Sequence, residues 1–206
     1  MTDREIFDSF IGNDIYDLAS KKDLEPYYDK KSLTLMEVDV KAFTSEKGQF
    51  TSDDLVKLLN TYFKGVSQIV GDREGIIEQF VGDSIFSIFG LKDDSKDSAN
   101  ACLAALDCLR FAEDLENPID LSIGIHKGLT IYGFFGSPEK LSFMTIGDSR
   151  NLVSKFKNEN ENYGTNIIVS EPVRKCLADD FQSRLLDPVA VKGKREPMNI
   201  YELINS

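Results

Sequence analysis

Asp39, in LMEVDVKAFT (35–44), and Asp83, in QFVGDSIFSIFG (79–90), are the two residues of this chain best suited to chemistry. Gly82-Asp83 alone is ordinary turn chemistry, since Gly tolerates positive φ and Asp can bond its own backbone. Asp39 changes that reading. It closes an apolar run read as the first strand, and the strands flanking Gly82-Asp83 are expected beside that run. Both carboxylates then meet at one sheet edge. Carboxylates held that close repel unless cations lie between them, which is what a two-metal phosphoryl-transfer site requires. Oxygen donors of this kind suit hard divalent cations, so two Mg2+ or Mn2+ ions per site are expected. With His126 the single histidine, a multi-histidine metal site is excluded.

The elements that must position these groups follow from periodicity. Residues 1–31 read as a helical lead-in: Ile6, Phe7, Phe10 and Ile11 fall at helical spacing, Gly12-Asn13 breaks it, and Ile15 and Leu18 resume it. Such a segment packs on its own domain or on a dimer partner. Residues 32–206 read as the main domain. A strand at 33–40 is followed by an amphipathic helix carrying Leu55, Leu58, Leu59, Tyr62, Phe63, Val66, Ile69 and Val70. Thr51 or Ser52 is its N-cap, with Asp53 and Asp54 in the first turn. The hairpin (76–81 and 84–90) comes next, then a helix over 95–115. IDLSIGIHKGLTIYGFFG (119–136) reads as a second hairpin bent at Lys127-Gly128. A helix over 148–158, a short strand, a short helix and two terminal strands finish the chain. The order βαββαβ is the ferredoxin-like α+β sandwich with extra strands and a helix, an antiparallel sheet with helices on one face. That fold hosts many functions, so function must come from the site.

Composition removes several classes. With 206 residues and a net charge of −11, the chain lacks the clustered Lys and Arg of a nucleic-acid surface. Cys102, Cys108 and Cys176 form no CxxC pair and read as buried thiols of a reducing compartment. No apolar run approaches the roughly 18 residues of a membrane span, and MTDREIFDSF has no basic leader, so a cytoplasmic protein is expected.

Residues 33–203 resemble the catalytic domain of class III nucleotide cyclases. The resemblance is carried, in order, by VDVKAFT, LVKLLNTYF, QFVGDSIFSIFG, IGIHKGL, GSPEKLSFMTIGDSRNL and VKGKREPMNIYEL. It implies a homodimer with two shared active sites and a nucleoside triphosphate substrate closed to a 3′,5′-cyclic monophosphate with release of pyrophosphate. By the same resemblance Asp39 and Asp83 are metal ligands assisted by the Val40 carbonyl, and Asn151 positions the ribose. Lys155 stands where the family has an arginine that steadies the phosphates. Lys for Arg keeps the charge and loses the two-pronged fork. Lys192 or Lys194 matches the lysine that reaches the triphosphate, with Lys194 favoured; Phe43 and Val81 floor the pocket or are plain core.

The base-reading positions depart from both purine codes. Gln79 stands where adenylate cyclases have Lys and guanylate cyclases Glu, and Met144 where the partner is Asp, Thr or a small residue. A thioether cannot pair with a base edge, and a buried unpaired group costs about 1–3 kcal/mol. Gln79 offers both a donor and an acceptor, which suits uracil or cytosine. The pattern is similar to the pyrimidine cyclases of bacterial antiphage signalling, which implies UTP ahead of CTP and a cyclic-nucleotide effector downstream. The alternatives are an adenylate or guanylate cyclase with an unusual pocket, and a degenerate module that dimerises or binds nucleotide without turnover. A diguanylate cyclase is disfavoured because no Gly-Gly-Asp/Glu-Glu-Phe signature appears. Glu37 replaces an aromatic two residues before Asp39, and pairing with a nearby Lys is its expected role. Arg150 replaces a small apolar residue beside Asn151, with phosphate or the partner chain as its expected target.

Overall fold

The computed structural model describes residues 12, 15–17, 27–42, 51–137, 139–191 and 197–205. Among the described residues, the elements from Tyr27 onward follow one another as β1 (Tyr27–Ala42), α1 (Ser52–Asp72), β2 (Ile76–Val81), β3 (Ser84–Phe89), α2 (Asp97–Glu113), β4 (Asp120–Ser137), β5 (Lys140–Ile146), α3 (Asp148–Tyr163), β6 (Ile167–Ser170), α4 (Glu171–Arg174), β7 (Gln182–Val189) and β8 (Met198–Asn205). They build one sheet in the order β2-β3-β1-β4-β6-β8-β7, with β5 paired to β4. Its β2-β3-β1-β4 part, with α1 and α2, is the ferredoxin-like βαββαβ core. The expected antiparallel pattern holds there, but β4 and β6 pair in parallel.

Local signals act as expected at α1 and at the hairpin. Thr51 caps α1, its hydroxyl accepting the Asp54 amide at 3.2 Å, and Asp53 and Asp54 sit at the positive end of the helix dipole. Gly82 has φ +64 at the first central position of a two-residue turn, where a type II′ hairpin wants Gly.

Three expectations fail for tertiary reasons. The predicted bend at Lys127-Gly128 does not exist. β4 runs through it unbroken, with Gly128 opposite Leu33 in the middle of the long ladder with β1. The glycine serves close approach instead, since a Cβ there would lie 2.6 Å from Ser149 Oγ. The helices do not share one face. Met36, Val38 and Val40 of β1 pack in a core with Tyr62 and Val66 of α1 and Ala101 and Ala105 of α2. Leu33 and Leu35 pack with Val153 of α3, on the opposite face. Finally, Cys102 and Cys108 are buried, as expected, but Cys176 is exposed. β1 also begins at Tyr27, inside the segment read as lead-in, and Ile15 of that segment is buried against Leu33, Ile88 and Phe134. No described helix is long and apolar enough to cross a membrane.

Candidate active site

Strand parity places Asp39. Side chains alternate across a sheet, so Leu33, Leu35, Glu37 and Asp39 share the α3 face while Met36, Val38 and Val40 enter the α1–α2 core. Asp39 therefore emerges where β1, the β2–β3 turn and α3 converge. Ser84, next to Asp83 in the turn, donates its hydroxyl to Asp39 Oδ1 at 2.6 Å. Asp39 and Asp83 both act on the Tyr62 phenol. Burial pushes that phenol far above its ordinary pKa, and the neighbouring Cys108 thiol and the charges of Asp39, Asp83 and Glu37 push it further. It stays protonated and donates to the Val38 carbonyl at 3.3 Å.

The second oxygen of Asp39 is taken by a residue that sequence reasoning missed. Lys157 of α3 donates to Asp39 Oδ2 at 2.6 Å and lies 3.4 Å from Glu37 Oε1. Glu37 also accepts the Ser154 hydroxyl, so its expected pairing with a lysine is what the structure shows. Burial disfavours the charge on Lys157, but its hydrogen bond to Asp39 and the charges of Asp39 and Glu37 outweigh that and raise its pKa. Helical phase carried the signal: Ser154 and Lys157 are three residues apart and so share a face.

Asn151 and Lys155 are on α3 but not with Asp39. Lys155 is about 200° around the helix from Lys157, and its ammonium donates to the Ala190 carbonyl at 2.8 Å. Asn151 is exposed and its side chain makes no hydrogen bond among the described residues. Val40 is buried where the β1–β4 register shifts, between Val40 and Ala42, and such a bulge re-aims backbone groups at a sheet edge. Val81 is 52% exposed and so is not core. Phe43, Lys192 and Lys194 lie outside the described residues.

The base-reading pair sits beside a buried brace. The β2–β3 register shifts between Ile77 and Gln79, and Glu78 turns under β5. There it accepts the Thr145 amide at 2.7 Å, the Thr145 hydroxyl at 3.0 Å and the Arg150 guanidinium. Arg150 lies 3.7 Å over the Phe86 ring, so its charge is used inside the chain rather than on phosphate or a partner, the targets expected from sequence. Gln79 and Met144 each adjoin a member of this brace, and the Gln79 side chain makes no hydrogen bond among the described residues. The Thr145 hydroxyl is already held by Glu78 and Arg150.

Asp39 and Asp83 fit divalent cations by donor chemistry. They are hard oxygen donors, and Asp83 has no ion-pair partner among the described residues. No cluster of three or more His, Cys, Asp or Glu suited to a metal occurs among those residues. Two carboxylates and a backbone carbonyl would leave the rest of the coordination of Mg2+ to substrate phosphates and water.

Comparison with known proteins places the chain in a family. The family model for the adenylate and guanylate cyclase catalytic domain matches residues 26–205. The chain is 32% identical over 184 residues to the terminal-differentiation specific adenylate cyclase of Dictyostelium discoideum, covering 85% of this chain and 9% of that protein. It is 28% identical to an adenylate cyclase of Anabaena cylindrica, covering 84% of this chain and 37% of that protein. It thus spans well under half the length of these curated relatives. Among solved structures, the adenylyl cyclase CyaB from P. aeruginosa superposes with a TM-score of 0.75 at 25% identity, covering 87% of this chain and 97% of that one. The guanylate cyclase domain of RhGC from Catenaria anguillulae, in complex with GTP, shares the fold at 20% identity and a TM-score of 0.73, covering 86% of this chain and 98% of that one. The chain belongs to the adenylate and guanylate cyclase catalytic-domain family.

Proposed function

We propose that this chain is a homodimeric nucleotide cyclase whose substrate is a pyrimidine nucleoside triphosphate, UTP ahead of CTP. The ribose O3′ bonds to the α-phosphorus, the bond from that phosphorus to the β-phosphate breaks, and the 3′ proton passes to solvent. Cyclic monophosphate and pyrophosphate are the products. The observation that carries the reading is Asp39 and Asp83 at one sheet edge of a chain of this family. Asp39, Asp83 and the Val40 carbonyl would hold divalent cations, which would supply Lewis acidity and neutralise phosphate charge.

The remaining groups bind and orient. Asn151 fixes the ribose, while Lys155 and Lys194 balance the triphosphate. That Asn151 and Lys155 lie away from their own chain's Asp39 supports a site divided between two chains, with Asp39 and Asp83 from one and Gln79, Asn151 and Lys155 from the other. Exposed apolar side chains at Val56, Phe80 and Val81 offer surface for the second copy. The base preference rests on Gln79, whose amide both donates and accepts, and on Met144, which does neither well. Thr145 does not make up the lack, since its hydroxyl is held by Glu78 and Arg150. With such a pocket the product is a second messenger of bacterial antiviral defence, read by a cyclic-nucleotide effector.

The names of the curated relatives favour a second reading, an adenylate cyclase with an unusual pocket. Pure protein incubated with Mn2+ and each of ATP, GTP, CTP and UTP, with products identified by mass, decides between them. Cyclic UMP or cyclic CMP as the main product is expected. A purine product overturns the base assignment, and bound nucleotide without any product overturns the enzyme assignment.

A further inference from the structure

Both oxygens of Asp39 already have partners, and one of them is a cation. Lys157 Nζ is 2.6 Å from Oδ2 and Ser84 Oγ is 2.6 Å from Oδ1. A divalent ion and an ammonium on the same carboxylate repel each other, so each weakens the other's hold on Asp39. Lys157 has only 13% of its side chain exposed, so an ammonium displaced into that setting with no partner is unfavourable. Glu37, with 4% of its side chain exposed, lies 3.4 Å from the same Nζ and is held in place by Ser154. Beside the pair a cleft of about 220 Å3, lined by Asp39, Val40, Lys41, Ser122, Lys157, Asn158 and Glu161, gives the lysine room to move.

We propose that Lys157 is a built-in cation that competes with the divalent metal for Asp39, and that Glu37 is the carboxylate to which it retreats when the metal binds. The proposal rests on the reading of Asp39 as a metal ligand. Its consequence is a raised threshold for metal loading: the site stays closed by its own lysine until divalent ion, with the nucleotide that brings it, outcompetes the ammonium. Glu37 is a positioning residue here, acting on the metal only through Lys157.

Binding of Mn2+ alone, followed by loss of the free-ion electron paramagnetic resonance signal, tests this without turnover. Lys157→Met is expected to tighten Mn2+ binding about tenfold or more, and Glu37→Gln to weaken it. Lys157→Met leaves Glu37 buried with Ser154 alone, so Glu37→Gln/Lys157→Met, which strands no charge, is compared with Glu37→Gln to keep the test open if the single variant unfolds. Lys41→Met removes an equal charge from the same cleft; its ammonium is held by the Thr165 carbonyl rather than by Asp39, so a change within about twofold is expected from screened through-space attraction. If Lys157→Met tightens binding in neither background, or Lys41→Met tightens it equally, direct competition is wrong. If Asp39→Asn binds Mn2+ as tightly as the unaltered protein, the metal-ligand reading itself fails.

Discussion

Arg150→Met should cost this domain a large part of its stability, because it leaves Glu78 charged in a place water does not reach. Glu78 has 1% of its side chain exposed, against 18% for Arg150. Removing one member of a buried ion pair costs about 3–5 kcal/mol, mostly as the penalty of the stranded charge. The Thr145 amide and hydroxyl still donate to Glu78, at 2.7 Å and 3.0 Å, which argues for the lower end. Loss of the guanidinium from the Phe86 face adds about 0.5–2 kcal/mol. A loss of about 4 kcal/mol is expected, from a total that for such domains is about 5–15 kcal/mol. Urea unfolding of the full chain measures it. Glu78→Gln/Arg150→Met removes both charges and should recover more than half of the loss, since the amide is nearly isosteric and the buried charge is gone. A single variant that loses less than about 1 kcal/mol, or a double variant no better than the single, would refute the account of the brace as a buried, mutually dependent pair.

The remaining predictions concern the site. Asp39→Asn and Asp83→Asn should each abolish turnover, because a lost metal ligand removes charge stabilisation that nothing else supplies, and Asp83→Asn, which breaks no ion pair among the described residues, should leave the urea transition in place; full activity of either is the contrary result. Mixing inactive Asp83→Asn chains with inactive Asn151→Ala chains should restore part of the activity through heterodimers holding one intact site, and no recovery despite proven subunit exchange would disprove the divided site. Gln79→Lys/Met144→Asp should lower kcat/KM for UTP at least about tenfold, the worth of one mismatched polar contact; unchanged UTP kinetics would show that these two side chains do not read the base. Gly124→Ala should destabilise by about 1–3 kcal/mol, since its Cβ would lie 2.4 Å from the Val153 carbonyl and 2.6 Å from the Lys157 amide; an unchanged melting temperature would mean that α3 does not need that close approach to β4.

What depends on neighbours along the chain was legible before any tertiary contact was known. The Thr51 cap, the Gly82-Asp83 turn, the alternation of β1 and the element order βαββαβ are local signals, read from residues a few positions apart. They were enough to bring Asp39 and Asp83 to one edge, because a two-residue turn sets the register of its own hairpin and the fold sets that hairpin beside β1. They were also enough to expect a lysine partner for Glu37. Which lysine, and on which element, was not legible. The Lys157–Asp39 contact joins residues 118 positions apart, and it exists because α3 packs on the face of β1 that Asp39 shares, opposite α1 and α2, whereas sequence pattern had put all helices on one face. Amphipathic period shows that a helix has an apolar side but not which layer covers it. The same limit explains Lys127-Gly128, a turn-like pair that β1 holds straight along its whole ladder, and Arg150, whose guanidinium is drawn inward by a glutamate 72 positions away. A buried charge is satisfied by whatever opposite charge the packed layers bring within reach, and that choice is made only when the layers close.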